Sequence, residues 1–425
     1  MTATMLGVMI VLLLLGFPMM VPLIAGSFVA FFVYMPIPPE IMVQQMIAGI
    51  RPSALVAVPM FILAADIITK GHSADRLIDL VMRFVGHLRG GLGVTAATSC
   101  ALFGAVSGST QATVVAIGSP LRPRMLEAGY KDSFTLALIV NASDIAMLIP
   151  PSIAMIIYGV ISGTSISELF IAGVGPGLLI LVLFSVYCVI YAKRHDIPVL
   201  ERASWAERID AVKGALWPLG FPVIVVGGIY GGIFSPTEAA SVCVVYAVIL
   251  EFVIFRSLKL AELVEIAKST GLITAVVFIL VAAGAAFSWA ISFNQIPQQI
   301  LGALGLADAG PVMVLVAISV AFFIGCMFVD PIVVILVLTP IFAPLVSGAG
   351  IDPVLVGVII TLQVAIGSAT PPFGCDIFTA IAVFRRPYVD VVRGTPPFVA
   401  MLVGVSAALI FFPQIALFLR DLAFR

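Results

Sequence analysis

Three stretches of the chain, Met1–Pro39, 269–307 and 394–419, carry no charged residue. Each exceeds the roughly 20 apolar residues that cross a hydrocarbon core about 30 Å thick. Lipid, not water, is therefore the solvent that most of this chain must fit. Only 10% of its residues are charged, against about 25% in a soluble domain. A polytopic, all-α membrane protein is expected, and its length leaves room for about ten to twelve spans. The N-terminal run lacks a basic leader and is too long for the core of a cleaved signal peptide.

Enzyme chemistry finds little to use. Cys100, Cys188, Cys243, Cys326 and Cys375 are scattered without metal-type or disulfide spacing. His72, His87 and His195 fall in polar connections and share no ligand spacing. No phosphate loop, HExxH or nucleophile elbow is present.

Two apolar segments break themselves in the same way. "NASDIAMLIPPSIAMIIYG" (Asn141–Gly159) and "VAIGSATPPFGCDIFTAI" (Val364–Ile381) both contain Pro-Pro. At an offset of 221 residues Gly104 falls on Gly325, Pro123 on Pro344, Ala128-Gly129 on Ala349-Gly350 and Pro150-Pro151 on Pro371-Pro372. Earlier the offset is 217 or 218, pairing Phe61 with Phe278 and Pro18 with Pro236. Two halves follow, about 1–213 and 214–425. Lys and Arg accumulate in short cytoplasmic loops. If the halves are inverted, eighteen of the 21 lie on one face, and only Arg51, Arg420 and Arg425 on the other. Inverted-topology repeats are a signature of secondary transporters.

The expected path starts at a cytoplasmic N-terminus. Residues 2–34 span outward, Pro36–Gly49 lies at the outer interface, 52–69 return, and 73–88 form an amphipathic helix on the inner surface. Residues 91–127, with "SGSTQAT" at their middle, form a re-entrant hairpin. Residues 132–163 cross with a break, and 168–192 return. The basic loop 193–213 is a solvated connection. Residues 215–233 and 237–255 pair, and 269–291 cross outward. Residues 311–347 form a second hairpin turning at "MFVDP", 353–385 cross with a break, and 394–419 end outside. Smooth spans (2–34, 52–69, 215–255, 394–419) are scaffold candidates. Both hairpins and both breaks belong to a mover. The units are thus 1–90 (scaffold and amphipathic helix), 91–192 (first transport half), 193–268 (loop and scaffold), 269–385 (second transport half) and 386–425 (C-terminal scaffold helix). A mid-membrane site between oppositely opening hairpins needs such a body to translate, since irregular backbone must stay buried in protein.

Proline has no N–H, so a helix interrupted at Pro-Pro leaves carbonyls without their helical donors. Such carbonyls beside Ser143 and the tip Ser107-Gly108-Ser109-Thr110 form a cage of hard oxygens for an alkali cation. Gly367, Ser368 and Thr370, with a second tip around Gly325 and Asp330, offer another. Asp144, Asp330 and Asp376 are costly at mid-membrane depth and are functional candidates. For Asp376 a structural hydrogen bond is an equal alternative. Asp66 and Glu238 read as structural or interfacial.

"FGAVSGSTQATVVAIG", "MLIPPS", "FSPTEAA" and "ATPPFG" together resemble the large membrane subunit of tripartite ATP-independent periplasmic (TRAP) transporters, of the DctM/SiaM-like type. The resemblance runs over essentially the whole chain. It implies sodium-coupled uptake of a small organic acid such as sialic acid or a C4-dicarboxylate, by an elevator fold in the bacterial inner membrane. The eighteen-to-three Lys/Arg split, not the resemblance, is what puts the N-terminus in the cytoplasm and the C-terminus in the periplasm. A small four-helix membrane subunit, expected as a separate chain, and a soluble periplasmic binding protein would be its partners. At least two Na+ sites are implied: Ser107, Ser109, Ala146, Ile149 and Pro151, and then Gly325, Gly367 and Thr370. Thr110, Asn141, Asp144, Ser152, Asp330 and Pro372 are candidates for substrate binding or coupling. Two alternatives stay open: a stand-alone dicarboxylate/sodium symporter, and an intramembrane enzyme in which Asp144 and Asp330 would pose as an acid pair.

Overall fold

A computed structural model describes residues 1–424 except Pro36, Pro39, Leu304, Leu306, Ala307 and Asp308. Arg425 and part of the expected outer interface at Pro36–Gly49 lie outside the described residues.

The first half runs through α1 (Thr2–Leu14), α2 (Met20–Val29), α3 (Glu40–Ile50), α4 (Ala57–Lys70), α5 (Ser73–Val85), α6 (Gly91–Ser107), α7 (Thr110–Glu127), α8 (Asp132–Ser143), the single turn α9 (Ile145–Leu148), α10 (Ile153–Ser162) and α11 (Ile166–Arg194). The second half contains α12 (Trp205–Ala215), the short α13 (Gly220–Pro222) and α14 (Gly228–Tyr230), α15 (Pro236–Val248), α16 (Leu260–Phe293), α17 (Ile296–Ala303), α18 (Pro311–Phe328), α19 (Pro331–Gly348), α20 (Pro353–Ser368), α21 (Cys375–Phe384), α22 (Tyr388–Val392), α23 (Pro396–Phe411) and α24 (Gln414–Ala423). Local chemistry sets many of these starts. Ser204 and Ser235 form capping boxes with Glu207 and Glu238, satisfying N–H groups that a helix start leaves orphaned. Proline opens α15, α18, α19, α20 and α23, where its missing N–H costs nothing.

The hairpins α6–α7 and α18–α19 and the breaks after α9 and α20 fall where the sequence places them. Other expectations need correction. Among the described residues six helices are long and apolar enough to cross a membrane, or up to nine if each bent pair is one span, and five further apolar helices are shorter. Residues 2–34 are not one span. Gly16 takes a φ of 80°, a left-handed conformation suited to glycine, and Pro18 follows it. The chain folds back so that the Thr4 and Tyr34 hydroxyls lie 2.7 Å apart. The C-terminal span is also interrupted, α23 and α24 being bent by 61°, and α12 is bent by 48° from the α13–α14 segment, whereas Ser53–Lys70 and Pro236–Ile254 each run through unbroken. Loop 193–213 is not wholly solvated, because it contains most of α12, which packs on α5 and buries Arg208.

Packing gathers most helices into two sets, with α16 touching both through its contact on α19. Helices α2, α3 and α4 pack on α16, and α4 also packs on α15. Helices α6–α9 pack with α11, α20 and α21, and α20 with α18. Helices α23 and α24 pack on α11 and α20. The C-terminal segment 386–424 thus lies with the hairpins and not with the α2–α4, α15 and α16 set. Its bend at Phe412–Pro413 lets α24 lie along α11, where Gly175 leaves room for the Ile415 backbone.

The termini share one end. Arg420 lies 2.7 Å from Asp352 and 3.7 Å from Glu168 at the start of α11. The residues just before α11 share a crevice with Ser53 and Ser235. From Ser53, α4 runs to the opposite end, where Asp66 accepts from Thr270 of α16 at 2.7 Å. Helix α16 returns, and Trp289 stacks on Phe31, three residues from Tyr34. Met1 therefore lies toward the Arg420 end of the molecule. The other end is basic and tied by ion pairs: Arg83–Glu207 at 2.9 Å, and Arg122 and Arg386 each 2.8 Å from Asp132.

Candidate functional site

Each hairpin tip meets a Pro-Pro break. At the first, Ser107 ends α6, Gly108 turns with φ 60°, and Ser109 caps α7 by accepting from Ala112 N at 3.5 Å. A Cβ on Gly108 would collide with the Pro151 carbonyl, and one on Gly104 with Ala146. The tip thus packs backbone to backbone on the break. Ser107 Oγ lies 3.2 Å from Thr113 Oγ1, which donates to the Ser109 carbonyl at 2.8 Å.

The second tip is built alike. Asp330 caps α19, its Oδ1 accepting from Ile332 N at 2.9 Å. Gly367 abuts Cys326 and the Phe323 carbonyl. Phe373 N donates to Met327 O at 3.1 Å, and Thr370 N to Gly367 O at 3.2 Å. The offset of 221 carries Ser109 onto Asp330, Ala146 onto Gly367, Ile149 onto Thr370 and Pro151 onto Pro372. Ala146 and Gly367 each stand four residues before the first proline of a pair, where a helix would have supplied a donor. Both prolyl-proline bonds are cis. The carbonyls and hydroxyls at each break are hard oxygen donors of the type that suits alkali cations. Gly325 lies one turn back from the second tip and faces Val334 of its own hairpin.

Both tips open onto one cavity of about 610 Å3. Ser107, Ser109, Gln111 and Ala112 line it from the first hairpin, and Asp330 and Ile332 from the second. Ile62, Ala65 and Asp66 of α4 and Leu272, Val276 and Leu280 of α16 form the facing wall. Asp330 thus sits with the first tip's serines. Asp66, read from sequence as structural or interfacial, is part of the lining, and Gln111 was missed. Gln111 accepts from Ser109 Oγ at 3.1 Å and donates to Cys375 Sγ at 3.2 Å. Polar residues directly after the hairpin serine were the available signal.

The remaining candidates lie outside this cavity. Thr110 Oγ1 donates to Asp376 Oδ1 at 2.6 Å, linking the first tip to the start of α21. Asn141 and Asp144 are fully buried within α8 and at its end. Ser152 caps α10, accepting from Met155 N at 3.4 Å. The Pro372 carbonyl accepts from Tyr388 OH at 3.1 Å. Asp144 is fully buried, whereas Asp330 lines the cavity.

Comparison with known proteins agrees with this architecture. The family model described as "Tripartite ATP-independent periplasmic transporter, DctM component" matches residues 6–415. The "Ectoine/5-hydroxyectoine TRAP transporter large permease protein" of Ruegeria pomeroyi is 74% identical, and the "Ectoine TRAP transporter large permease protein" of Halomonas elongata 71%, each over 100% of both chains. Relatives named for C4-dicarboxylate (Pseudomonas aeruginosa) and sialic acid (Vibrio cholerae) are 36% and 35% identical, over 86% and 89% of both chains. Among solved structures the Alcanivorax borkumensis YdaH transporter shares the fold, with a TM-score of 0.56 at 13% identity, covering 88% of this chain and 87% of that one. The chain therefore belongs to the DctM family of tripartite ATP-independent periplasmic transporters, as a multi-pass large membrane permease and not an enzyme.

Proposed function

We propose that the chain is the permease of a sodium-driven uptake system for ectoine and 5-hydroxyectoine in the inner membrane. A small membrane subunit and a periplasmic binding protein complete it. This replaces sialic acid and C4-dicarboxylates as the expected substrates. The cavity lining carries the reading. It holds two carboxylates, Asp66 and Asp330, with Ser107, Ser109 and Gln111, and no Lys, Arg or His among the described lining residues. A dianion would meet two like charges there and no basic side chain, a poor match in low dielectric. Ectoine is a zwitterion. Its amidinium can face the carboxylates while its carboxylate takes the hydroxyls and the capped start of α7, where helix N–H groups favour an anion. The high identity to two permeases named for ectoine supports the same substrate.

Na+ bound at the two tip–break junctions would supply positive charge beside this cavity. Ser107, Ser109 and the Ala146, Ile149 and Pro151 backbone would hold one ion, and Gly325, Gly367 and Thr370 the other. The α6–α11 and α18–α24 set then moves as an elevator against α1–α4 and α13–α16. Vesicles holding the complete system should take up labelled ectoine on a Na+ gradient, with excess succinate or sialate failing to compete. Uptake in potassium alone, competition by those acids, or full uptake without the binding protein would each overturn part of the reading. Ser288 Oγ of α16 donates to Leu336 O of α19 across the sets at 2.9 Å. A Ser288→Cys/Leu336→Cys disulfide in a Cys-free background should stop transport reversibly, whereas one joining Gln363→Cys and Ser406→Cys, within the moving set, should not. The reverse pattern would sink the elevator.

A further inference from the structure

Behind the first tip, four buried oxygens receive no hydrogen bond from the protein: both carboxylate oxygens of Asp144, Oδ2 of Asp376 and Oδ1 of Asn141. All three side chains are fully inaccessible. Asn141 and Asp144 stand three residues apart and share a helix face. Asp376 arrives from the other half, in the first turn of α21, which packs on α7 and α8. Asp376 lies within electrostatic reach of Asp144 and, toward the cavity, of Asp330. The neighbouring donors are engaged: Thr110 Oγ1 with Asp376 Oδ1 at 2.6 Å, Ser368 Oγ with the Val364 and Ala365 carbonyls at 2.8 and 3.0 Å, and Asn141 Nδ2 with the Ala137 carbonyl at 2.8 Å. Among the described residues no Lys, Arg or His is in reach of either carboxylate.

Two buried carboxylates and an amide oxygen that share only the Thr110 hydroxyl must either hold protons or take up a cation. Two buried like charges without a partner cost several kcal/mol each. We propose that Asn141, Asp144 and Asp376 form a further alkali-cation site, with Thr110 positioning Asp376, which fastens the two halves of the moving body together. Four hard oxygens fall short of the six to eight that Ca2+ takes, and Mg2+ insists on octahedral geometry. The site is not a copy of the tip cages. The 221-residue offset places Leu362 opposite Asn141, Ala365 opposite Asp144 and Met155 opposite Asp376. It is a single site that both halves build.

The inference rests on sodium being the coupling ion, and its test separates the two claims. The full chain in nanodiscs is titrated with 22Na+ at equilibrium. Wild type should bind three ions. Asp144→Asn and Asp376→Asn should bind two, with thermal stability still raised by Na+ through the tips. Three ions in both variants would overturn this site and leave the tip sites standing. No sodium bound to wild type would overturn both. Should the variants misfold, wild type decides alone. Carbodiimide labelling of Asp144 and Asp376, located by mass spectrometry, should fall at least fivefold in saturating Na+ relative to choline. Labelling that Na+ leaves unchanged, or that only Ca2+ or Mg2+ suppresses, would overturn it.

Discussion

At Gly108 two constraints coincide: a left-handed φ of 60°, and the Pro151 carbonyl lying where a Cβ would stand. An alanine in left-handed conformation costs about 1–2 kcal/mol, and the collision adds the cost of pushing the tip off the break. Gly108→Ala should lower the melting temperature and, more tellingly, shrink the Na+-dependent part of that temperature. A full sodium response in that variant would argue against the tip–break junction as a cation site. Residues of this kind were legible early, because Gly, Pro and N-cap Ser carry local conformational meaning wherever they occur. Asp66 and Gln111 were not. Asp66 has no neighbour in sequence that hints at a cavity, and its role depends on what α16 and the second tip bring beside it. The acceptor cluster behind the tip was half legible: Asp144 and Asp376 were conspicuous singly, but their proximity depends on α21 crossing back onto α8.

Helix α5 shows how an element is held. Glu251, fully buried in the π-helical continuation of α15, accepts from Ser73 Oγ at 2.5 Å, His72 N at 3.2 Å and Ser257 Oγ at 2.5 Å. Gly71 has no side chain to keep the carboxylate away. Glu251→Ala strands buried donors at about 1–3 kcal/mol each. Hydrogen exchange should rise in α5 while staying unchanged in α20 and α21. Equal loosening throughout would deny α5 this anchor. The amphipathic character of 73–88 was evident in its sequence, and the structure gives Ser73–Val85. What anchors it was not evident, since Glu251 sits 178 residues from Ser73. The breaks at Gly16 and Phe412 were missed for a different reason. Apolar composition continues unbroken through both, and hydropathy reports depth, not direction.

For the whole molecule, the most direct check is topology. Thr4→Cys and Asp421→Cys in a Cys-free background should react with a membrane-impermeant thiol reagent from the same side, and Ser204→Cys only from the other. Labelling of Thr4→Cys and Ser204→Cys together would restore the single-span reading of 2–34. The basic end was readable from charge counting alone. The placement of α23 and α24 was not, because it depends on ion pairs and close backbone contacts that leave no periodic trace. The anchored α5 also has a mechanical meaning. Its 13 residues make a rod about 20 Å long, pinned at Glu251 at one end and joined by a short turn to the first hairpin at the other. A tilt of roughly 30° about that pin carries the far end about 10 Å. If the hairpin set moves as proposed, the rod is the tether that would set its stroke, and one added helical turn should lengthen the travel while leaving ion binding unchanged.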